Sequence, residues 1–229
     1  MKLIETLPGI AIADLALYLR KEKVLVIGDV HLGFEDVLTK EGMLLPRFQF
    51  KDTIERLRKI LDYLNQNLNQ KLEAVIINGD LKHDFASISE QEWREIIRLI
   101  DFLLRYAKRI VLVKGNHDIK LGPVARKRNI AVVEHIGVND KFICHGHKIP
   151  SSSEFEKSKT VIVGNEHPAV SIRSNVRSEL FKCFLLGKWQ GKRLIVMPSF
   201  NMLTIGSDVL KENFLSPFLK QGVMRFEVF

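Results

Sequence analysis

Cysteine is scarce in this chain of 229 residues: Cys144 and Cys183 are the whole complement. Two thiols build neither a disulfide framework nor a cysteine-rich zinc site. They suit a reduced, intracellular protein, and a cytoplasmic location is expected. Long apolar runs are also lacking. No stretch approaches the roughly 18 apolar residues that a membrane-crossing helix needs, so no membrane partner is expected. The opening segment, MKLIETLPGIAIADLALYLR, is interrupted by Glu5 and Asp14. It has no unbroken apolar core or small-residue cleavage site, so no export signal is expected. Internal repeats and low-complexity tracts are missing as well, which excludes a solenoid or a compositionally disordered chain. Acid is the scarcer charge, with 27 Asp and Glu against 35 Lys and Arg and a net charge of +8. That balance favours phosphorylated substrates and polyanionic partners, DNA and RNA among them.

What is present fits one domain spanning residues 1–229, 46% of it hydrophobic and able to bury a large core. Short β-branched runs recur at Val24–Ile27, Ala74–Ile77, Ile110–Val113, Lys141–Cys144, Thr160–Val163 and Leu194–Met197. Each reads as a buried strand. Between the first three lie helical patterns. From Phe48 to Leu68 the apolar positions are Ile54, Leu57, Ile60, Leu61 and Leu64; from Gln91 to Tyr106 they include Trp93, Ile96, Ile100 and Leu103. Alternating strand and helix predicts βαβ units and a parallel sheet. After about residue 130 the strands crowd together around turns at Asn139-Asp140 and Gly187 to Gly191, predicting a second, more antiparallel sheet. The expected fold class is α/β, with two packed mixed sheets flanked by helices. The Ser151 to Lys159 segment reads as a polar surface loop.

Almost every expected strand runs into metal-ligand residue types. Gly28-Asp29-Val30-His31 follows the first and Asn78-Gly79-Asp80 the second, with His83 close behind. Gly115-Asn116-His117-Asp118 follows the third. Later come His145-Gly146-His147 and Gly164-Asn165-Glu166-His167. Sites in open α/β sheets form beyond the carboxyl ends of the strands, so these five clusters are expected to converge. Carboxylate with imidazole suits Mn, Fe, Zn and related divalent ions. Singly, most of these clusters read as turns, although the histidine of Gly115-Asn116-His117-Asp118 adds little to one. Five in series, each after a strand, do not.

The order Asp-x-His, Gly-Asp, Gly-Asn-His-Asp, His, Gly-x-x-His resembles the calcineurin-like metallophosphoesterase superfamily. The tail Val196 to Asn201 with Gly206-Ser207-Asp208, and the stretch from Gly9 to Leu19, resemble small prokaryotic members related to SbcD-type DNA-repair nucleases. The resemblance implies a phosphoesterase with two divalent metal ions, manganese first among them and Fe, Ni, Zn or Mg as alternatives. Asp29, His31 and His167 would hold one ion and Asn116 and His145 the other, with Asp80 bridging. His117 would contact the phosphate or protonate the leaving group, and His83 would stand near the phosphate. A hydroxide bridging ions about 3.5–4 Å apart would attack phosphorus in line. The family pattern departs at Asn165, where a histidine is usual. Asn165 can still ligate, Glu166 or His147 can substitute, or the second site is weak; a weak second site is the favoured reading. Arg173 and Arg177 are substrate-binding candidates because they follow the last motif, as does Lys182. The expected substrate is a nucleic-acid or nucleotide phosphodiester. The alternatives are a small-molecule or cyclic-nucleotide phosphodiesterase, a phosphatase, or a scaffold that has lost the chemistry. The oligomeric state stays open, a dimer included.

Overall fold

The structure is a computed structural model; it describes residues 1–43, 46–68, 71–84, 88–118, 121–174, 176–211, 214–220 and 225–229. Among the described residues the strands form three sheets. The first runs, neighbour to neighbour, β1 (Ile4–Leu7), β2 (Ile10–Ala13), β3 (Ala16–Leu19), β4 (Val24–Ile27), β5 (Ala74–Asn78), β6 (Ile110–Val113) and β7 (Ala131–Val133). β1 to β4 are antiparallel neighbours, whereas β4 to β7 are parallel. The expected parallel arrangement is found in one half of this sheet, β4 to β7, and the β1 to β4 meander extends it.

The second sheet contains β8 (His135–Val138), β9 (Lys141–Cys144), β10 (Thr160–Val163), β13 (Leu185–Trp189), β14 (Lys192–Val196) and β16 (Glu227–Val228), in the order β16-β13-β14-β10-β9-β8. Its centre, β9-β10-β14, is parallel, and its flanks are antiparallel. A small third sheet, not anticipated from sequence, joins β11 (Pro168–Arg173), β12 (Ser178–Lys182) and β15 (Ser207–Asp208).

Side-chain alternation sorts the apolar residues into layers. Val26, Ile76 and Val111 of the first sheet face Ile143, Ile162 and Ile195 of the second. On the other face of the first sheet, Leu25, Val75 and Leu112 pack under helices α2 (Gln49–Leu68) and α3 (Glu90–Leu103), through Leu57, Ile60, Leu64, Ile96, Ile100 and Leu103. Strands covered on both faces have no polar side, which is why they read as unbroken apolar runs. α3 starts on a capping box, with Ser89 Oγ accepting from Glu92 N at 3.1 Å and Glu92 Oε2 accepting from Ser89 N at 2.8 Å. Three shorter helices are α1 (Phe34–Lys40), α4 (Gly122–Arg128) and α5 (Ser153–Lys157), and α6 (Pro217–Lys220) lies near the chain end.

One expectation is corrected here. The Ser151 to Lys159 segment is no simple surface loop: Ser152 Oγ caps α5 by accepting from Phe155 N at 3.2 Å, and Phe155 is buried. Trp189 is buried as well. It ends β13, buried in the outer core, with its ring centroid 5.0 Å from that of Phe218.

Candidate metal centre

The parallel strands β4, β5 and β6 end on the same side, and so do β9 and β10 of the facing sheet. The turns after them bring the expected residues together. Asp29 Oδ1 lies 3.2 Å from His167 Nε2 and 3.5 Å from His145 Nδ1. Asp80 Oδ2 lies 3.3 Å from His145 Nε2, 3.7 Å from His117 Nε2 and 3.8 Å from His31 Nε2. Asn116 Oδ1 is 3.0 Å from His145 Nε2. His31 Nε2 faces His167 Nε2 at 3.4 Å, and His31 Nδ1 faces His83 Nδ1 at 3.3 Å.

The backbone is bent to achieve this. Asp29 (φ 54°), His31 (φ 49°), Asp80 (φ 45°), Asn165 (φ 64°) and His167 (φ 50°) all occupy the left-handed region. Such conformations are disfavoured for residues with a Cβ, and they gather where a site needs side chains aimed out of regular structure. Close packing enforces the same geometry. A Cβ on Gly115 would fall on the Asp80 carboxylate, and one on Gly164 would fall on that of Asp29.

Asp29, His31, Asp80 and His145 are all buried. Burial opposes charge on His145, but its hydrogen bond to Asp80 and the fields of Asp29 and Asp80 outweigh this and raise it to about 9. Burial works against the Asp80 carboxylate too, yet His145 and the His117 backbone N–H hold it well below its ordinary value. Burial, reinforced by neighbouring imidazoles, lowers His31 to about 3 and His83 to about 4. Asp118 is an orienting group: its carboxylate accepts from Leu81 N at 3.0 Å and Gly115 N at 3.0 Å, tying the second and third turns together, and burial raises it to about 6.

The donor set fits divalent cations. Among the described residues, three groups have ligand atoms within 4.8 Å of one another: Asp29-Asp80-His145, Asp29-His31-His167 and His31-His83-His117. Two buried carboxylates held this close repel unless positive charge lies between them. His145 Nδ1 is buried with no hydrogen bond among the described residues.

The structure also places the remaining candidates. Asn165 lies beside Asp29, donating its backbone N–H to Asp29 Oδ2 at 3.2 Å. Glu166 turns away from the centre: its Oε2 accepts from Leu215 N and Ser216 N. The His147 ring centroid is 5.3 Å from that of His145, and His147 falls in none of the three ligand groups. Arg173 and Arg177 are exposed at the far end of the β11-β12 hairpin, which starts directly after His167. Lys182 does not face the site mouth with a free ammonium; it donates to Ser199 O at 2.8 Å, Ser199 Oγ at 2.7 Å and the Asn201 carbonyl.

Sequence reasoning missed the supports. Gln49, buried at the start of α2, donates from Nε2 to the His31 carbonyl at 2.7 Å and so fixes that turn. Glu35 accepts from Phe48 N and Gln49 N, both at 2.7 Å, and holds the start of α2 in place. The tail closes the back: Phe200 N donates to Gly28 O at 2.8 Å, and Ser207 N to His167 O at 2.9 Å. Among the described residues, no helix is long and apolar enough to cross a membrane.

Among solved structures, the Pseudomonas putida nuclease MPE is similar over 90% of this chain and 90% of its own, at 21% identity and a TM-score of 0.65. The Aquifex aeolicus protein AQ665, of unknown function, matches over 63% of this chain and 78% of its own, at 16% identity and a TM-score of 0.41. A Vps29 single mutant from Entamoeba histolytica matches over 90% and 83%, at 19% identity and a TM-score of 0.36. No curated protein matches the chain in sequence. The sequence profile described as calcineurin-like phosphoesterase matches residues 22–221, which with the strand-end motifs makes this chain a member of the calcineurin-like phosphoesterase family.

Proposed function

We propose that this chain is a phosphodiesterase acting on nucleic acid or nucleotides, with two divalent cations, manganese foremost, at the centre built by Asp29 and Asp80. The observation that carries this reading is the clustering of two buried carboxylates with His31, His145 and His167, flanked by His83 and His117. Asp29, His31 and His167 would hold one cation. Asn116, His145 and Asn165 would hold the other, Asn165 as a weak, neutral ligand. Asp80, whose Oδ2 faces His31 and His145 alike, would serve both. The cations would supply positive charge to the phosphate oxygens and acidify the attacking water.

The chain's own residues do the rest. His117 Nδ1 is bonded to the His83 carbonyl oxygen, which can only accept, so the proton sits on Nδ1. That fixes the ring and turns Nε2 to the side where Asp80 lies. From there His117 can contact the phosphate and, once protonated, hand a proton to the leaving oxygen. His83, kept neutral by burial, offers a hydrogen bond beside it. Arg173 and Arg177 would contact substrate phosphates beyond the one being cleaved.

The nucleic-acid class draws on the net charge of +8, the strand-like reach of the arginine hairpin and the nuclease whose fold this chain shares. The kinship with DNA-repair nucleases that the tail suggests belongs to the same reading, as does a single domain across the chain. Cys144 and Cys183, both free and buried, are consistent with a cytoplasmic setting. The test is hydrolysis of single-stranded DNA beside a chromogenic phosphodiester and a phosphomonoester, with and without manganese. Manganese-stimulated cleavage of DNA is the expected result. Turnover of the small esters alone would sink the nuclease reading. No stimulated hydrolysis, with fewer than one ion bound per chain, would mark a binding scaffold.

A further inference from the structure

The loops bearing His145 and His167 leave the second sheet side by side, after β9 and β10. Glu166 precedes His167, yet its side chain is directed into protein, only 1% exposed. Its Oε2 accepts from Leu215 N at 2.9 Å and from Ser216 N at 2.7 Å. Ser216 is fully buried and donates from Oγ to the carbonyl of Gly146 at 3.0 Å. Gly146 directly follows His145. One two-residue segment therefore grips both loops at once.

The grip has a firm backing. α6 begins at the next residue, and its Phe218 and Leu219 are buried in the outer core. The Phe218 ring packs at 5.0 Å from Trp189 and 6.3 Å from Phe155. Burying a carboxylate is costly unless donors compensate, and an apolar side chain would fill the space without that cost. Two backbone N–H groups compensate at Oε2, while Oε1 is buried with no hydrogen bond among the described residues. The compensation works only while residues 215 and 216 stay beside residue 166, so the buried charge specifies loop position.

We infer that Glu166 is a positioning residue: with Ser216 it sets the separation of His145 and His167 by tying both loops to the segment leading into α6. Cutting Glu166 frees the His167 loop from that segment, and cutting Ser216 Oγ frees the His145 loop. The inference rests on the proposed metal centre for its purpose, while the ring spectra in its test do not.

The test compares Glu166→Ala, Glu166→Gln and Ser216→Ala with wild type. Imidazole ¹⁵N spectra of the metal-free protein should show the His167 signals displaced in Glu166→Ala and the His145 signals displaced in Ser216→Ala. Glu166→Gln keeps an acceptor oxygen and should restore the wild-type His167 signals. Calorimetric titration with manganese should find affinity lowered about 10- to 100-fold in both alanine variants, the range for lost outer-shell support. Unmoved ring signals in both alanine variants would overturn the inference. So would unchanged manganese affinity in variants whose only defect is a lower Tm. If Glu166→Ala does not fold, Ser216→Ala and Glu166→Gln carry the comparison. If wild type binds no manganese, the proposed function falls, and the ring spectra still decide the positioning role.

Discussion

At the scale of single residues, Asp80 and His117 share a neighbourhood but differ in what their loss should do. Asp80 Oδ2 stands within 3.8 Å of ring nitrogens on His31, His117 and His145. Asp80→Asn removes the charge between them, and manganese binding should fall by about 100-fold or more, with hydrolysis falling alongside. His117→Ala should instead lower kcat by about 100- to 10,000-fold, the span of lost proton transfer, and leave manganese affinity within a few-fold. Calorimetry and steady-state kinetics on both variants separate the two outcomes; equal losses of metal affinity would contradict the assigned roles. Asn165 offers the converse change. Its φ of 64° lies in a region that His31 and His167 already occupy, so Asn165→His should fold. An imidazole there is a stronger ligand than an amide, and the second ion should bind at least about tenfold more tightly. A titration showing no gain would remove Asn165 from the ligand set. Lys182 makes a pH-dependent prediction. Burial, with Arg56 adding to it, lowers its ammonium from 10.5 to about 8. The native state then binds fewer protons than the unfolded chain between those values, so stability should rise with pH across that window. The penalty is full below about pH 8. Relative to Lys182→Met, the Tm of wild type should therefore improve between pH 8 and 10. A difference that stays flat, or moves the other way, counts against the buried-ammonium reading.

At the scale of elements, the site depends on turns that admit no side chain. Gly115 has an ordinary negative φ, so alanine there meets no backbone strain; its Cβ collides with the Asp80 carboxylate and backbone N. Gly115→Ala should cost about 1–3 kcal/mol, as overpacking does, and should also weaken manganese binding. Gly122, at the start of α4, is the control: its Cβ would meet nothing nearer than Arg126 Nη1, at 3.5 Å. Urea unfolding and metal titration of both variants check the contrast. Equal metal affinity in the two would mean that Asp80 adapts freely. The same elements explain what could be read in advance. β4, β5, β6, β9, β10 and β14 are covered on both faces, so their β-branched runs announce them. β11 and β12 leave residues such as Ile172 and Phe181 exposed, β15 has two residues, and nothing in their patterns marks a third sheet. α5 shows no helical pattern in sequence because Phe155 is its single buried anchor among serines and charges. The ligand types stood out because several kinds recur after successive strands. Gln49, Glu35, Glu166 and Ser216 carry no such signal. Each is one polar residue far along the chain from its partner, and only the packed sheets bring them to the loops they hold.

At the scale of the whole molecule, charge and the placing of the centre act together. The net charge is +8, and the centre sits at the strand ends, beside the start of the β11-β12 hairpin. Arg173 is six residues beyond His167, which at about 3.3 Å per strand residue lies roughly 20 Å along the chain. A small diester cannot span that distance, whereas a strand of several nucleotides can. The two substrate classes should then respond differently to salt. Single-stranded DNA bound through several phosphates releases counterions, and log affinity should fall with log salt by about 0.7 per phosphate engaged. A small diester contacts only the centre, and its KM should change little between about 50 and 200 mM salt, for lack of such contacts. Arg173→Ala and Arg177→Ala should each lower the DNA slope by about 0.7 without moving the salt response of the small diester. Anisotropy titrations of a labelled oligonucleotide at several salt concentrations, with Asp80→Asn to prevent cleavage, measure the slope directly. A slope near zero in wild type would mean that the basic surface does not engage a polyanion. A slope unchanged by both arginine variants would move the substrate path off this hairpin and onto another face of the molecule.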